Sequence, residues 1–460
     1  MSVIVLEKAT KPDSGGNSAH TLNMRFAYRG LEDLLRIVGS SRELATSLEQ
    51  FRTAYTAGDF YDDLFAASKG RIDQSLAEIL AAESYDVIQW LRNIGQSWEV
   101  TQNPIAGSVP LGMAGGGYAH QQRAVGIARS AGIDIQYGVA AVELLMANGG
   151  ISGVVARKGD RSRRYHTKAV VLACGGFEGS ARLRRAHLGE EWENVRLRGV
   201  PHNTGDGLEM ALAVGAVPYG DWTACHAAPI AESAPRHALP YEYAMSRRLR
   251  RYGFPFGISV NVDGTRFFDE GETYRNLQYA KVGRTILRQP RSMAYQLFDA
   301  KAWRLALLEH NSYTSESPFQ ATSWSGLASQ IGIPGAALLE TIADYNHATS
   351  GNECNPLSLD GVCSRELTPP KSNWAEPLDT PPFRAYPVVC GLTFTYGGVQ
   401  IDGSGRVIHT NGYPIAGLYA AGEMVGGLFF SNYPGGAGMT AGSVFGRRAG
   451  LAAAKQAMER

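Results

Sequence analysis

The sequence predicts an α/β protein in which a middle segment of different character is inserted between two halves of one domain. Three observations carry that expectation. Short apolar runs near both ends of the chain stop at a Gly or an acid, Gly-rich loops lead into helical patterns, and the middle third keeps no steady hydrophobic period. Of the 460 residues 44% are hydrophobic and 19% charged, which supplies a sizeable core and excludes wholesale disorder. Forty-four basic residues against 43 acidic ones leave a net charge of +1, so neither a nucleic acid nor an anionic membrane surface is expected as a partner. Gly is the outlier at 54 residues, well above the usual ~7%, and implies many tight turns or close backbone approaches.

The elements follow in order. Ser2 to Leu6 is a β-branched run closing on Glu7, and Gly15-Gly16-Asn17-Ser18 is a polar loop behind it. Residues 31–57 and 72–94 read as helices, the second with Leu76, Ile79, Leu80, Val87, Trp90, Leu91 and Ile94 at helical spacing and Gly95 as its C-cap. Gly115-Gly116-Gly117 precedes a helix over about 118–131. Strands are expected at 133–137, 151–157 and 169–173, the last apolar throughout, as suits a strand covered on both faces. Thr204-Gly205-Asp206-Gly207 opens a helix from Leu208 to Val214. Residues 222–256 hold an Arg cluster, aromatics and prolines without a period. Ile258 to Val262 reads as a strand, Pro334 opens a helix bearing Leu338, Ile342 and Tyr345, and 351–387 looks like an irregular connector. Gly417 to Gly422 is an apolar strand ending at Glu423, and the loop Gly435 to Gly442 runs into a terminal helix. The first and last parts then form one domain around the insertion.

Five cysteines at irregular spacing, with no C-x-x-C pair, argue against a disulfide framework or a zinc site and for a reducing, cytoplasmic home. No metal ligand set is expected, and neither a heme-attachment motif nor an iron–sulfur cysteine set is present. No run of 18 apolar residues exists, so no membrane span is expected, and the N-terminus lacks the layout of a signal peptide.

An apolar strand ending in an acid is how a dinucleotide fold holds ribose hydroxyls, although Glu7 alone is equally an ordinary strand end. The acid should follow a G-x-G-x-x-G turn by about 20 residues, and no such segment precedes it here. Four Gly-rich loops feeding helices suit a large extended ligand that meets backbone amides and helix N-termini at several points. Taken together and in this order, Leu6-Glu7-Lys8, Gly15 to Ser18, Thr204 to Gly207, Pro382-Phe383 and Ala420-Ala421-Gly422-Glu423 resemble the fumarate reductase/succinate dehydrogenase flavoproteins. Gly15 to Thr21, Asp269 to Glu272, Leu367 to Lys371, Leu378 to Phe383 and Thr393 to Tyr396 resemble the FAD-dependent tricarballylate dehydrogenases within that group.

The resemblance implies an FAD/NAD(P)-binding Rossmann-like domain (1–221 and 381–460), its first strand absent, with an α+β capping domain (222–380) that covers the substrate. It implies FAD, held noncovalently because Asn17 stands where some members carry the His that attaches the flavin. Glu7 would hold the adenosine ribose. Lys8, Gly15, Gly16, Asn17, Ser18, Gly116, Gly117, Thr204, Asp206, Gly422, Glu423, Gly438 and Met439 would surround the rest. The chemistry implied is hydride transfer between flavin N5 and a carbon beside an activating group, on a small carboxylate-bearing, tricarballylate-like substrate.

Carried over by position, His226 is the carboxylate-clamping His and Arg275 the proton donor, with one residue more between it and Glu270 than in fumarate reductases. Two positions depart from that pattern: Phe394 replaces a His and Tyr433 an Arg. Fumarate itself is therefore not the expected substrate, while Tyr433 can still donate one hydrogen bond to a carbonyl or carboxylate. Among Arg247, Arg248, Arg250 and Arg251, either all form a solvated face or one replaces the lost clamp. Tyr433-Pro434-Gly435 also resembles the late loop of 3-ketosteroid dehydrogenases, which makes a steroid-type ketone the alternative substrate. A flavin-free, non-catalytic fragment is the third reading. The electron donor or acceptor is not identified by the sequence.

Overall fold

The computed structural model describes residues 2–458 apart from 52, 103, 106, 308–311, 350 and 365. The parallel sheet expected at the two ends of the chain is present, in two pieces. Ile4–Glu7 pairs in parallel with Asp134–Tyr137, from Ile4 opposite Asp134 to Glu7 opposite Tyr137. Pro414–Ala420 pairs in parallel with Val170–Leu172 and meets Gly150–Lys158 at Ala416. Val170–Leu172 was expected to be covered on both faces, yet Val171 is 40% exposed, as are Val3, Ile4 and Val5 at 40–47%. All four line one large cavity that lies along both sheet pieces.

The helix expected over 31–57 is two helices, Leu31–Val38 and Arg42–Leu48. Gly39, at φ 104°, ends the first, and the Ser41 side chain caps the second by accepting from the Leu44 amide. The helix expected over 72–94 is Gln74–Asn93, with Asp73 accepting from the Leu76 amide and Leu76, Leu80, Val87, Ile88 and Leu91 buried. Both strand neighbours of Gly150–Lys158 on its antiparallel edges went unpredicted, Ala140–Ala147 and Arg161–His166. Their mixed, half-exposed composition masks the alternation that would reveal them.

The aperiodic stretch from residue 222 begins inside a strand, Pro218–Ala231, which runs through the expected domain border at 221/222. Register shifts between Asp221 and Cys225 and between His226 and Ala227 break its two-residue period. Burial of both faces from Cys225 to Ala231 removes the polar half of any alternation. Its partner, Phe383–Val399, claims the last five residues of the supposed connector. Met293–Phe298 and Ile258–Asn261 extend this sheet antiparallel, while Phe319–Ala321 (antiparallel) and Arg196–Leu197 (parallel) also pair with Phe383–Val399. The 17-residue strand joins two cores: Phe383, Ala385 and Tyr386 pack in the inserted segment with Leu297, Trp324, Leu338 and Tyr345, whereas Val388, Leu392 and Val399 belong to the main core.

Candidate active site

One cavity of about 1320 Å³ runs from the strand Ile4–Glu7 to the long antiparallel pair. Typical small-ligand sites occupy ~300–1,000 Å³, so there is room for an extended cofactor and a second, smaller molecule. Glu7, Lys8, Gly15, Gly16, Asn17, Ser18, Thr204, Asp206, Gly422, Glu423, Gly438, Met439, His226, Arg275 and Tyr433 all line it. Residues separated by more than 400 positions in the chain thus meet around one space.

Gly116 and Gly117 are the exceptions, since neither is among the residues that line the cavity. A Cβ on Gly116 would stand 2.0 Å from the Tyr243 hydroxyl, and one on Gly117 2.0 Å from the Ser18 carbonyl oxygen. The Gly117 amide donates to the Thr21 carbonyl at 2.8 Å. These glycines let the helix Gly116–Ser130 press against the Asn17–His20 turn, which itself faces the cavity.

The walls at the Glu7 end suit a backbone-hugging ligand. Gly16 (φ 56°) and Gly422 (φ 71°) have open space where a side chain would stand. The terminal helix Ala437–Met458 presents its N-terminal residues Gly438 and Met439 to the cavity, with the positive end of its dipole. Glu7 closes its strand and accepts from the Ala9 amide at 2.7 Å. Lys8 reaches Thr204 at 2.5 Å and Asp206 at 2.7 Å, tying the first strand to the helix Asp206–Ala213. Asn17 is anchored three ways, donating to Glu178 at 2.7 Å and to the Thr393 carbonyl at 2.6 Å while accepting from the Val200 amide at 2.8 Å.

Behind this wall lie Glu178 and Glu423, both raised above the ordinary carboxylate range by burial, the proximity of Glu423 adding to the shift of Glu178. Glu178 accepts from Asn17 and from Asn203 at 2.5 Å, and Glu423 from the Thr395 amide and hydroxyl at 2.7 and 3.0 Å. The sequence reading missed Glu178, which follows the strand-end Gly175-Gly176 and carries no motif of its own.

At the other end, His226 lies opposite Phe394 in the strand pairing, with ring centroids 5.2 Å apart. Tyr279 and Tyr433 flank it at 4.9 and 5.1 Å. His226 is 1% exposed, and neither ring nitrogen has a hydrogen-bond partner among the described residues. Burial, then the charges of Arg198 and Arg250, hold its pKa well below the ordinary value, so the imidazole is neutral. The Tyr433 hydroxyl oxygen accepts from the Gly436 amide at 2.7 Å.

The arginine run divides. Arg248 is exposed and Arg247 half-exposed. Arg251 is buried in the inserted core, where it pairs with Glu316 and lies 5.4 and 5.5 Å from the Tyr313 and Tyr386 rings. Arg250 alone of the four lines the cavity. There it is joined by Arg198, Arg275 and Tyr252, and neither Arg198 nor Tyr252 was singled out from the sequence. The two-residue offset of Tyr252 from Arg250 on an extended segment is the signal that could have suggested a shared face.

These walls define a nucleotide-cofactor oxidoreductase with a buried aromatic and cationic pocket at the far end of the cofactor groove. The model of the FAD binding domain matches residues 44–439, and the chain belongs to that family, among the fumarate reductase/succinate dehydrogenase flavoproteins. It is 28% identical over 468 residues to a probable fumarate reductase of Shewanella frigidimarina, covering 100% of this chain and 72% of that protein. It is 32% identical over 324 residues to a 4-oxocyclohexanecarboxylate 2-dehydrogenase of Sinomonas cyclohexanicum, covering 67% of this chain and 54% of that one. The open conformation of a flavocytochrome c3 fumarate reductase superposes with a TM-score of 0.73 at 26% identity, covering 99% of this chain and 74% of that one. The chain is accordingly an FAD-dependent oxidoreductase acting on CH–CH bonds. Among the described residues no helix is long and apolar enough to cross a membrane.

Proposed function

We propose that the chain interconverts a CH–CH bond and a C=C bond in a small carboxylate-bearing substrate bound in the pocket around His226, with FAD held noncovalently in the groove that leads to it. The observation that supports this most is the pocket's composition: an unpartnered neutral His226 and the Tyr433 phenol line the same cavity as Arg198, Arg250 and Arg275. FAD, when bound, supplies the hydride acceptor or donor. Glu7, the Asn17 turn, Gly422 and the N-terminus of the helix Ala437–Met458 would hold it. Tyr433 would donate a hydrogen bond to a substrate oxygen and stabilise negative charge that develops there as the neighbouring carbon exchanges its proton. Arg275, first residue of the helix Arg275–Leu287, would deliver that proton in the reducing direction. In the oxidising direction one hydrogen leaves the substrate as hydride, the adjacent one as a proton, and an external acceptor takes the electrons onward.

The relative from Sinomonas acts, by its name, on a ring that bears both a ketone and a carboxylate. That favours a small oxo-acid over tricarballylate. A second reading, a steroid-type ketone, draws on Tyr433-Pro434-Gly435 and on the aromatic walls Phe394, Tyr279 and Phe429. Purified protein loaded with FAD should bleach at the flavin bands on anaerobic addition of a saturated oxo-acid, and should pass electrons to an artificial acceptor. Bleaching by 3-ketosteroids alone would select the second reading, and a colourless preparation that takes up no FAD would defeat both.

A further inference from the structure

Three guanidinium groups converge on one ring: the Cζ atoms of Arg198, Arg250 and Arg275 lie 6.0, 6.0 and 5.7 Å from the centre of Tyr252. Neither Arg198 nor Arg250 makes a salt bridge among the described residues. Arg250 is 6% exposed; its Nη2 donates to the His20 carbonyl at 2.6 Å and its Nε has no partner. The buried Tyr252 hydroxyl has none either. Arg198 spends its Nε on the Thr393 hydroxyl at 2.8 Å, which leaves its terminal nitrogens for the cavity it lines. Burial together with the Arg198 charge depresses Arg250 to about 10, although Tyr252 opposes the shift. A buried guanidinium that feels a second positive charge and has no carboxylate partner is costly, and an incoming anion relieves that cost.

Tyr433 lies at the other side. Tyr279 bridges the two ends, its ring centre 5.0 Å from Tyr252 and 6.4 Å from Tyr433, with His226 beside it at 4.9 Å. Among the described residues no guanidinium stacks on Tyr433, and its hydroxyl accepts from the Gly436 amide, which leaves the phenolic proton to donate. One end is thus cationic and planar-forked, the other a neutral single donor.

We propose that Arg198, Arg250 and Tyr252 form the carboxylate-binding end of this pocket and Tyr433 its carbonyl-binding end, so that the substrate is a small oxo-acid with its ketone and carboxylate on opposite sides of the carbon skeleton. This rests on the functional reading above and deepens it. A forked guanidinium pair prefers a carboxylate to its ester because both oxygens then accept charge-assisted bonds. The pocket would reject neutral ketones at one end, and acids without a ketone at the other.

The test is calorimetric binding to the FAD-loaded protein of 4-oxocyclohexanecarboxylate, its methyl ester and cyclohexanecarboxylate. The wild type should bind the oxo-acid at least about tenfold tighter than the ester. Arg250→Gln and Arg198→Gln should bring that ratio near one while leaving ester affinity unchanged, and Arg250→Lys should restore part of it. Tyr433→Phe should weaken the oxo-acid and ester alike and leave cyclohexanecarboxylate as it was. An acid-to-ester ratio unaltered in both glutamine variants, each shown folded by its thermal melt, overturns the proposal, as does a wild type that binds acid and ester equally. Oxidation of the oxo-acid with an unaltered ratio would keep the functional reading and remove this one. Arginine-dependent binding without electron transfer would do the reverse.

Discussion

The Tyr433 hydroxyl oxygen accepts a hydrogen bond from the Gly436 amide three residues on, at 2.7 Å, in the turn that precedes the terminal helix. Burial raises the phenol above its usual range, the amides of Gly436 and Gly438 oppose that shift, and the proton stays on the oxygen at neutral pH. An O–H polarised from behind is a stronger donor to whatever stands in front.

Tyr433→Phe should therefore lower kcat by about 10²–10³, a larger loss than the weakening of substrate binding, because the bond strengthens as charge develops on the substrate oxygen. Steady-state kinetics with an artificial acceptor would show it. Equal losses in binding and turnover would mean that the hydroxyl merely holds the ground state.

Acid should destabilise the fold through its buried histidines. His20 and His120 are lowered from 6.5 to about 4, each chiefly by burial. Above pH 6.5 folded and unfolded chains are both neutral at these sites. Below it the unfolded chain takes up protons that the folded chain refuses, so stability falls as pH drops from 6.5 toward 4. At pH 5 each contributes a loss of about 2 kcal/mol. Urea midpoints at pH 7.5 and pH 5 should differ less in His20→Gln than in the wild type; the same pH slope in both would refute the assignment.

Gly117→Ala should disturb flavin retention without touching the cavity. Its Cβ would press on three carbonyls of the 18–21 turn, at 2.0, 2.8 and 3.0 Å, and backbone cannot swing aside as a side chain can. A destabilisation of about 1–3 kcal/mol and a lowered flavin-to-protein ratio are expected. Gly16→Ala meets nothing of the protein within 4 Å but must hold φ 56° and ψ −162°, so it should lower both flavin content and, by about 1–3 kcal/mol of backbone strain, the stability of the fold.

Replacing Glu178 separates charge from hydrogen bonding. Burial and the neighbouring Glu423 raise its pKa and so favour the neutral form; glutamine keeps a neutral acceptor there, so Glu178→Gln should cost under about 1 kcal/mol. Glu178→Ala strips the acceptor from both Asn17 and Asn203 and should cost about 1–3 kcal/mol for each donor left without a partner. Denaturant unfolding of the two variants would resolve them; a glutamine as damaging as the alanine would show that the carboxylate charge matters.

Much of the groove was legible in the sequence because glycine loops and strand-end acids are local signals. Glu7, the Asn17 loop, Asp206 and Glu423 sit around one space, as their motifs suggested. The pocket was harder. His226 and Tyr433 came through position within a family pattern, while the strand holding His226 was unreadable, since its bulges and two buried faces remove the alternation. Arg198 lies on a short stretch beside Leu392, and nothing nearby in sequence marks it. Its partner Arg250 was visible only as one of four in a run whose members turn out to face solvent, the inserted core and the cavity. Gly116 and Gly117 pose a related difficulty: a glycine required by neighbouring packing looks, in sequence, like one required by a ligand.

Consecutive placement of Arg250 and Arg251 has a mechanical outcome. The second is locked among Tyr313, Tyr386 and Glu316, so the first cannot withdraw unless that aromatic nest moves with it. Any swing of the inserted segment is transmitted through a single peptide unit to the positive wall of the pocket. Release of product and loosening of the grip on its anion would then be the same event.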